Sequence, residues 1–96
     1  MSIDERLPAG WDLARLRARW PDAELLGVEA HRVYWSKGPN ERDELRAELI
    51  INFSGMCLVR TVGDPAWWMG QLHQNGESIV CWGHYGTDLA RAIDAL

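Results

Sequence analysis

The chain reads as an α+β domain, an antiparallel meander sheet of four to five strands with one helix before it and one after it. Three observations predict this. Two pairs of apolar runs are joined by dipeptides suited to tight hairpin turns, Ser54-Gly55 and Asn75-Gly76. The segments WDLARLRARW and DLARAIDAL place apolar residues at helical spacing. The 96 residues, 47% of them hydrophobic, suffice for one core and one domain.

Residues 1–8 carry Asp4, Glu5 and Arg6 without periodicity and read as a loose arm. Leu13, Leu16 and Trp20 then share one face of a short helix that Pro21 terminates, and Arg15 and Arg19, one turn apart, read as a solvated face in preference to a phosphate site. From Val28 to Trp35 the alternation predicts a strand, with Val28, Ala30, Arg32 and Tyr34 on one side and Glu29, His31, Val33 and Trp35 on the other. SKGPNERDELRAE, opened by Gly38-Pro39-Asn40, is expected to be a long charged loop in which Glu41 to Arg46 could form one helical turn.

The two hairpins follow. With Ser54-Gly55 as a loop, Phe53 faces Met56, Ile51 faces Leu58 and Ala47 faces Val62; with Asn75-Gly76, Leu72 faces Ile79, Gly70 faces Cys81 and Met69 faces Trp82. Gly63-Asp64, read as a two-residue loop, keeps the hairpins in phase. One sheet face then carries Leu49, Ile51, Phe53, Met56, Leu58, Arg60, Trp67, Met69, Gln71, Val80, Trp82 and His84. The other carries Ile50, Val59, Trp68, Leu72 and Ile79 with a row of small residues, Cys57, Gly70 and Cys81, which would admit a helix closely. The last helix is therefore expected on this second face, while the first face is either an open interface or closed by the N-terminal helix or an identical subunit. The last helix has Thr87 as its expected N-cap and Leu89, Ala92, Ile93 and Leu96 as its apolar stripe.

A formal charge of −4 argues against general nucleic-acid binding and favours a basic partner. No apolar run is long enough for a membrane span and no signal peptide is visible, which points to the cytoplasm. Cys57 and Cys81, two strands apart, are expected to be free thiols.

The chemistry-bearing residues do not converge on a reaction. In the expected register Cys81 points away from His84, which disfavours a Cys-His nucleophile, and Cys81-x-x-His84 on a strand cannot close on one zinc ion. No catalytic residue, cofactor or metal is expected. Gly83 to Gly86 could present backbone amides to an anion at the entry to the last helix, and that corner or the Trp-rich face is the basis of an alternative reading, a small-molecule or anion-binding accessory protein. Six tryptophans in so short a chain predict partly exposed rings. Trp67, Met69, Trp82 and His84 are the expected centre of a protein interface, with Glu41, Asp43 and Glu44 as an acidic rim; the partner is another protein or a second copy of this chain in a homodimer.

The tail ESIVCWGHYGTDLARAIDAL, preceded by VGDPAWWMG, resembles the ends of small bacterial proteins of which some sit among immunity proteins of polymorphic toxin systems. The resemblance covers about the last third of the chain and carries no catalytic motif. It implies a cytoplasmic, non-enzymatic protein that binds and blocks a toxin.

Overall fold

Among the described residues, two helices and seven strands follow one another as α1 (Leu13–Arg19), β1 (Ala23–Leu26), β2 (Arg32–Gly38), β3 (Glu41–Leu45), β4 (Ala47–Phe53), β5 (Met56–Thr61), β6 (Trp67–Leu72), β7 (Ser78–His84) and α2 (Leu89–Asp94). The computed structural model describes residues 7, 8, 10–38, 41–73 and 76–96. Most of the expected N-terminal arm, Pro39-Asn40 and the Asn75 half of the last turn thus lie outside the described residues. Leu7, at the end of that arm, is not loose but buried in the core.

α1 begins at Asp12, whose carboxylate accepts from the Arg15 amide at 2.7 Å, and closes at Trp20 ahead of Pro21. Its arginines are exposed, as expected of a solvated face, and are also tethered. The Arg15 guanidinium donates to the Gly10 carbonyl at 2.6 Å and lies 4.1 Å from the Trp11 ring. Arg17 donates to the Ala23 carbonyl at 3.0 Å, and Arg19 pairs with Asp94 of α2. α2 is capped by Asp88, not Thr87: the Asp88 carboxylate accepts from the amides of Ala90 and Arg91 at 3.0 and 3.5 Å, one residue closer to the helix than Thr87 could reach.

The sheet is larger than a four- to five-strand meander. Its order is β1-β4-β5-β6-β7-β2-β3, antiparallel except for β2 beside β7. β4 to β7 form the expected meander, and Ser54 and Gly55, with φ of 55° and 99°, make the expected tight turn. The additional strands come from segments read differently in the sequence. Glu41–Leu45 is an edge strand, because an edge needs one hydrogen-bonded partner and tolerates a charged, solvated outer side. The expected strand from Val28 starts only at Arg32; Val28 to Ala30 turn, with the Ala30 amide donating to the Gly27 carbonyl at 3.2 Å.

Two bulges shift the expected register. Ala47 pairs with Thr61, not Val62, because an irregularity falls between Ala47 and Leu49. Gly70 pairs with Cys81 as expected, but Met69 pairs with Gly83 and Trp68 with His84, leaving Trp82 as the extra residue. The Gly63-Asp64 corner stays in phase, with Arg60 opposite Trp67.

Both helices cover the first face: α1 closes it, as the alternative to an open interface had it, and α2 lies there in place of the expected second face. Leu16 of α1 and Leu89, Ala92 and Ile93 of α2 pack with Leu49, Ile51, Phe53, Leu58 and Trp67, and Trp20 meets Phe53 edge-on at 5.8 Å. The second face closes on itself. Only Arg46 separates β3 from β4, so their ends lie within about 7 Å, whereas five strand spacings in a flat sheet would hold them about 24 Å apart. The sheet must roll into an open barrel, and Val33, Ile50, Cys57, Val59, Trp68, Ile79 and Cys81 fill its inside. The small-residue row serves this roll and not a helix. A Cβ on Gly70 would stand 2.9 Å from Cys81 Sγ and 3.0 Å from both Ile79 Cγ2 and the Val80 carbonyl oxygen.

Candidate functional site

The roll separates the residues expected to form one interface. Trp67 is 1% exposed beneath the helices, with the Arg60 guanidinium 5.4 Å from its ring, so it is a core residue and no surface anchor. Met69 is partly buried against the same core. The bulge separates His84 from Trp82: His84 pairs with Trp68 on the inner side, its ring 4.1 Å from that of Trp68 and 5.8 Å from that of Trp35. Trp35 and Trp68 meet edge-on at 4.7 Å. Trp68 is 5% exposed and its indole Nε1 has no hydrogen-bond partner among the described residues.

Trp82 goes the other way and is 52% exposed although it belongs to a strand with neighbours on both sides. Its surroundings follow from the register. Gln71, Val80, Tyr34 and Glu44 stand opposite one another across β6, β7, β2 and β3 on the face that the helices leave uncovered at this end, and none belongs to either core cluster. Tyr34 accepts a hydrogen bond from Arg32, which together with the charge of Glu44 raises the Arg32 pKa. Trp82, Val80 and Tyr34 thus form an aromatic and apolar row with Gln71, Glu44 and Arg32 around it. Sequence reasoning missed Tyr34 and Val80 as members. The signal for the bulge was Gly83, a glycine inside a strand pattern directly after a large aromatic.

Glu41, Asp43 and Glu44 are all exposed on β3, an edge strand in place of the expected loop. Asp43 shares the inward face with Trp35 and Glu44 the outward face with Tyr34. Where the rolled sheet fails to close, a cleft of about 880 Å³ opens between the end of β3 and the start of β4, lined by Val28, Glu29, Val33, Glu44, Leu45, Ala47 and Val62 among others. Glu48 and Arg60 pair across its rim at 2.6 Å.

The bulge returns His84 to the face of Cys81, correcting the expected opposition of the two. The thiol chemistry nonetheless disfavours attack. Burial pushes both thiols up to about 12, helped by the charge of Glu24 at Cys57 and by Cys57 at Cys81, so each remains protonated and shielded. Both cysteines are free. Cys57 and the Gly55 amide donate to Asn52 Oδ1, at 3.5 and 2.9 Å, and Asn52 Nδ2 donates to Glu24 at 2.9 Å. Among the described residues no group of three His, Cys, Asp or Glu side chains could hold a metal ion, and no helix is long and apolar enough to cross a membrane. The Gly83 to Gly86 corner offers no anion seat on α2, because the Asp88 carboxylate already takes the amides there. Compared with family models, curated proteins and solved structures, the chain matches none.

Proposed function

We propose that this chain is a non-enzymatic protein-binding module, an immunity or inhibitor protein acting in the cytoplasm, and that its partner seats on Trp82. The observation that carries the reading is that Trp82 stands 52% exposed on the outer face of β7 with Val80 and Tyr34, where the bulge sends His84 to the inner side and leaves Trp82 as the extra residue. Bulges re-aim side chains, and tryptophan and tyrosine are the residues that most often anchor interfaces. The acids of β3 border this row, which with the chain's charge of −4 suits a basic partner. Trp67 drops out as an anchor and contributes only as core.

The test is capture of the partner from the host cell by the wild-type chain and by Trp82→Ala. Loss of one captured protein by about 30-fold or more, corresponding to about 2 kcal/mol, is expected of a desolvated anchor while the fold is kept. The same proteins captured equally by both chains would contradict the reading. The second reading, a small-molecule accessory protein, rests on the seam cleft, whose volume of about 880 Å³ falls within the ordinary range of ligand sites. It predicts that ligand binding is lost with changes at Val28 or Leu45 and indifferent to Trp82.

A further inference from the structure

We propose that the seam cleft binds an aliphatic monocarboxylate, a fatty-acid-like molecule whose chain lies on the cleft floor and whose acid group pairs with Arg46. The inference rests on the small-molecule reading of the cleft, gives it a ligand, and does not depend on Trp82 as an anchor. The floor is aliphatic. Val28, Leu45 and Ala47 line the cleft while half-buried against the inner core, buried Val33 lies in the same lining, and Val62 stands 55% exposed. No Trp, Tyr or Phe is among the described residues of the lining, so the floor suits an alkyl chain and offers no ring for stacking.

The backbone holds these walls in place. The Gly27 carbonyl accepts from the Ala30 amide at 3.2 Å and from His31 Nδ1 at 2.9 Å, which fixes the turn carrying Val28 and Glu29. The Arg46 carbonyl accepts from the Val62 amide at 2.9 Å, which fixes the single-residue link between β3 and β4. A seat formed in advance loses little ordering entropy on binding. Charge then selects the head group. Three arginines line the cleft, and the chain itself engages two of them: Arg60 donates to Glu48 at 2.6 Å, and Arg32 donates to Tyr34 in the field of Glu44. The third, Arg46, is exposed and stands in the chain between the floor residues Leu45 and Ala47. Its planar guanidinium carries five donors and matches a carboxylate in bidentate fashion. Glu29, also in the lining, limits the ligand to one negative charge, because a second would meet it. An alkyl chain ending in one carboxylate satisfies both the floor and Arg46, and a cleft of about 880 Å³ has room for it.

The probe is octanoate, titrated into the intact protein and followed by calorimetry and by amide NMR shifts, with octanamide and octyltrimethylammonium as neutral and cationic controls of matched chain. Octanoate should shift the resonances of Leu45 to Ala47 and of Val62, and octanamide should bind about tenfold more weakly. Hexanoate should lose about tenfold relative to octanoate, as expected when two methylenes leave the floor. Arg46→Gln should weaken octanoate by about tenfold and leave octanamide unchanged, whereas Trp82→Ala should bind octanoate as the wild type does. Arg46 and Trp82 are both exposed, and unchanged melting temperatures of the two variants confirm that the fold is kept. Octanoate bound no better than octanamide or octyltrimethylammonium, or bound equally by Arg46→Gln, would overturn the proposal while leaving the cleft as a site for some other molecule. No shift at the cleft resonances with millimolar octanoate or octanamide, or loss of binding in Trp82→Ala, would overturn the proposal and the cleft reading together. Partner capture that depends on Trp82 concerns the other site alone.

Discussion

Replacing Gly70 by alanine probes the roll of the sheet at its tightest point. Gly70 lies between Cys57 and Cys81 on the inner face, and the added methyl would meet Cys81 Sγ at 2.9 Å and both Ile79 Cγ2 and the Val80 carbonyl oxygen at 3.0 Å. The sulfur can turn aside only within a closed core, and the carbonyl belongs to the paired backbone of β7 and cannot. Overpacking of this kind costs about 1–3 kcal/mol, and the smaller freedom of alanine in the unfolded chain returns about 0.4–1 kcal/mol. The net expectation is a loss of about 1–2 kcal/mol, or roughly 4–16 °C in melting temperature for a domain of this size. Urea and thermal denaturation followed by circular dichroism read it directly. Cys81→Ala in the same chain removes the nearest contact and should recover about 0.5–1 kcal/mol of coupling, with the remainder left by the Val80 carbonyl. A Gly70→Ala protein as stable as the wild type, or more so, would refute the close passage of β6 over β7 and with it the tight roll.

The other substitutions divide core from surface. Trp67→Ala should destabilise by about 3–5 kcal/mol, as expected of a buried ring, whereas Trp82→Ala should stay within about 0.5 kcal/mol of the wild type in the same denaturation assay. Asp88→Ala should lower stability by about 0.5–2 kcal/mol through loss of the α2 cap, and Thr87→Ala should change it by no more than about 0.5 kcal/mol. The buried thiols give a pH dependence: their folded pKa values of about 12 lie above the ordinary 9.0, so their contribution is present below about pH 9 and is lost as pH climbs toward 12. Denaturation midpoints taken across that window should fall more steeply for the wild type than for Cys57→Ala with Cys81→Ala.

The meander was legible because its signals are local. Ser54-Gly55 dictates its turn wherever it occurs, and the alternation in β4 and β5 sets their pairing with one error, at the Ala47 bulge. α1 and α2 were legible from their apolar spacing. The position of β2 was not, because a parallel neighbour is chosen by how a distant segment fills the inner face, and nothing in Arg32 to Gly38 names Ser78 to Cys81 as its partner. β3 was hidden by its charge: ERDEL is a poor match to a half-buried strand and a good one to an edge. The side taken by α2 was misjudged for a related reason. A row of Cys57, Gly70 and Cys81 permits close approach by anything, and here what approaches is the sheet's own inner face. At the candidate site, one inserted residue decided the outcome, since the bulge at Trp82 sends Trp82 and His84 to different surroundings.

The most direct test of Trp82 as the anchor is site-specific photo-crosslinking in the host cell, with a benzophenone side chain placed at position 82 and, as a control, at the exposed Arg91 on α2. A single cross-linked protein at position 82 that is absent at position 91, and that is displaced by excess wild-type chain, is the result expected of a partner seated on the bulge. Cross-links at position 91 and none at position 82 would move the interface to the helices and contradict the assignment.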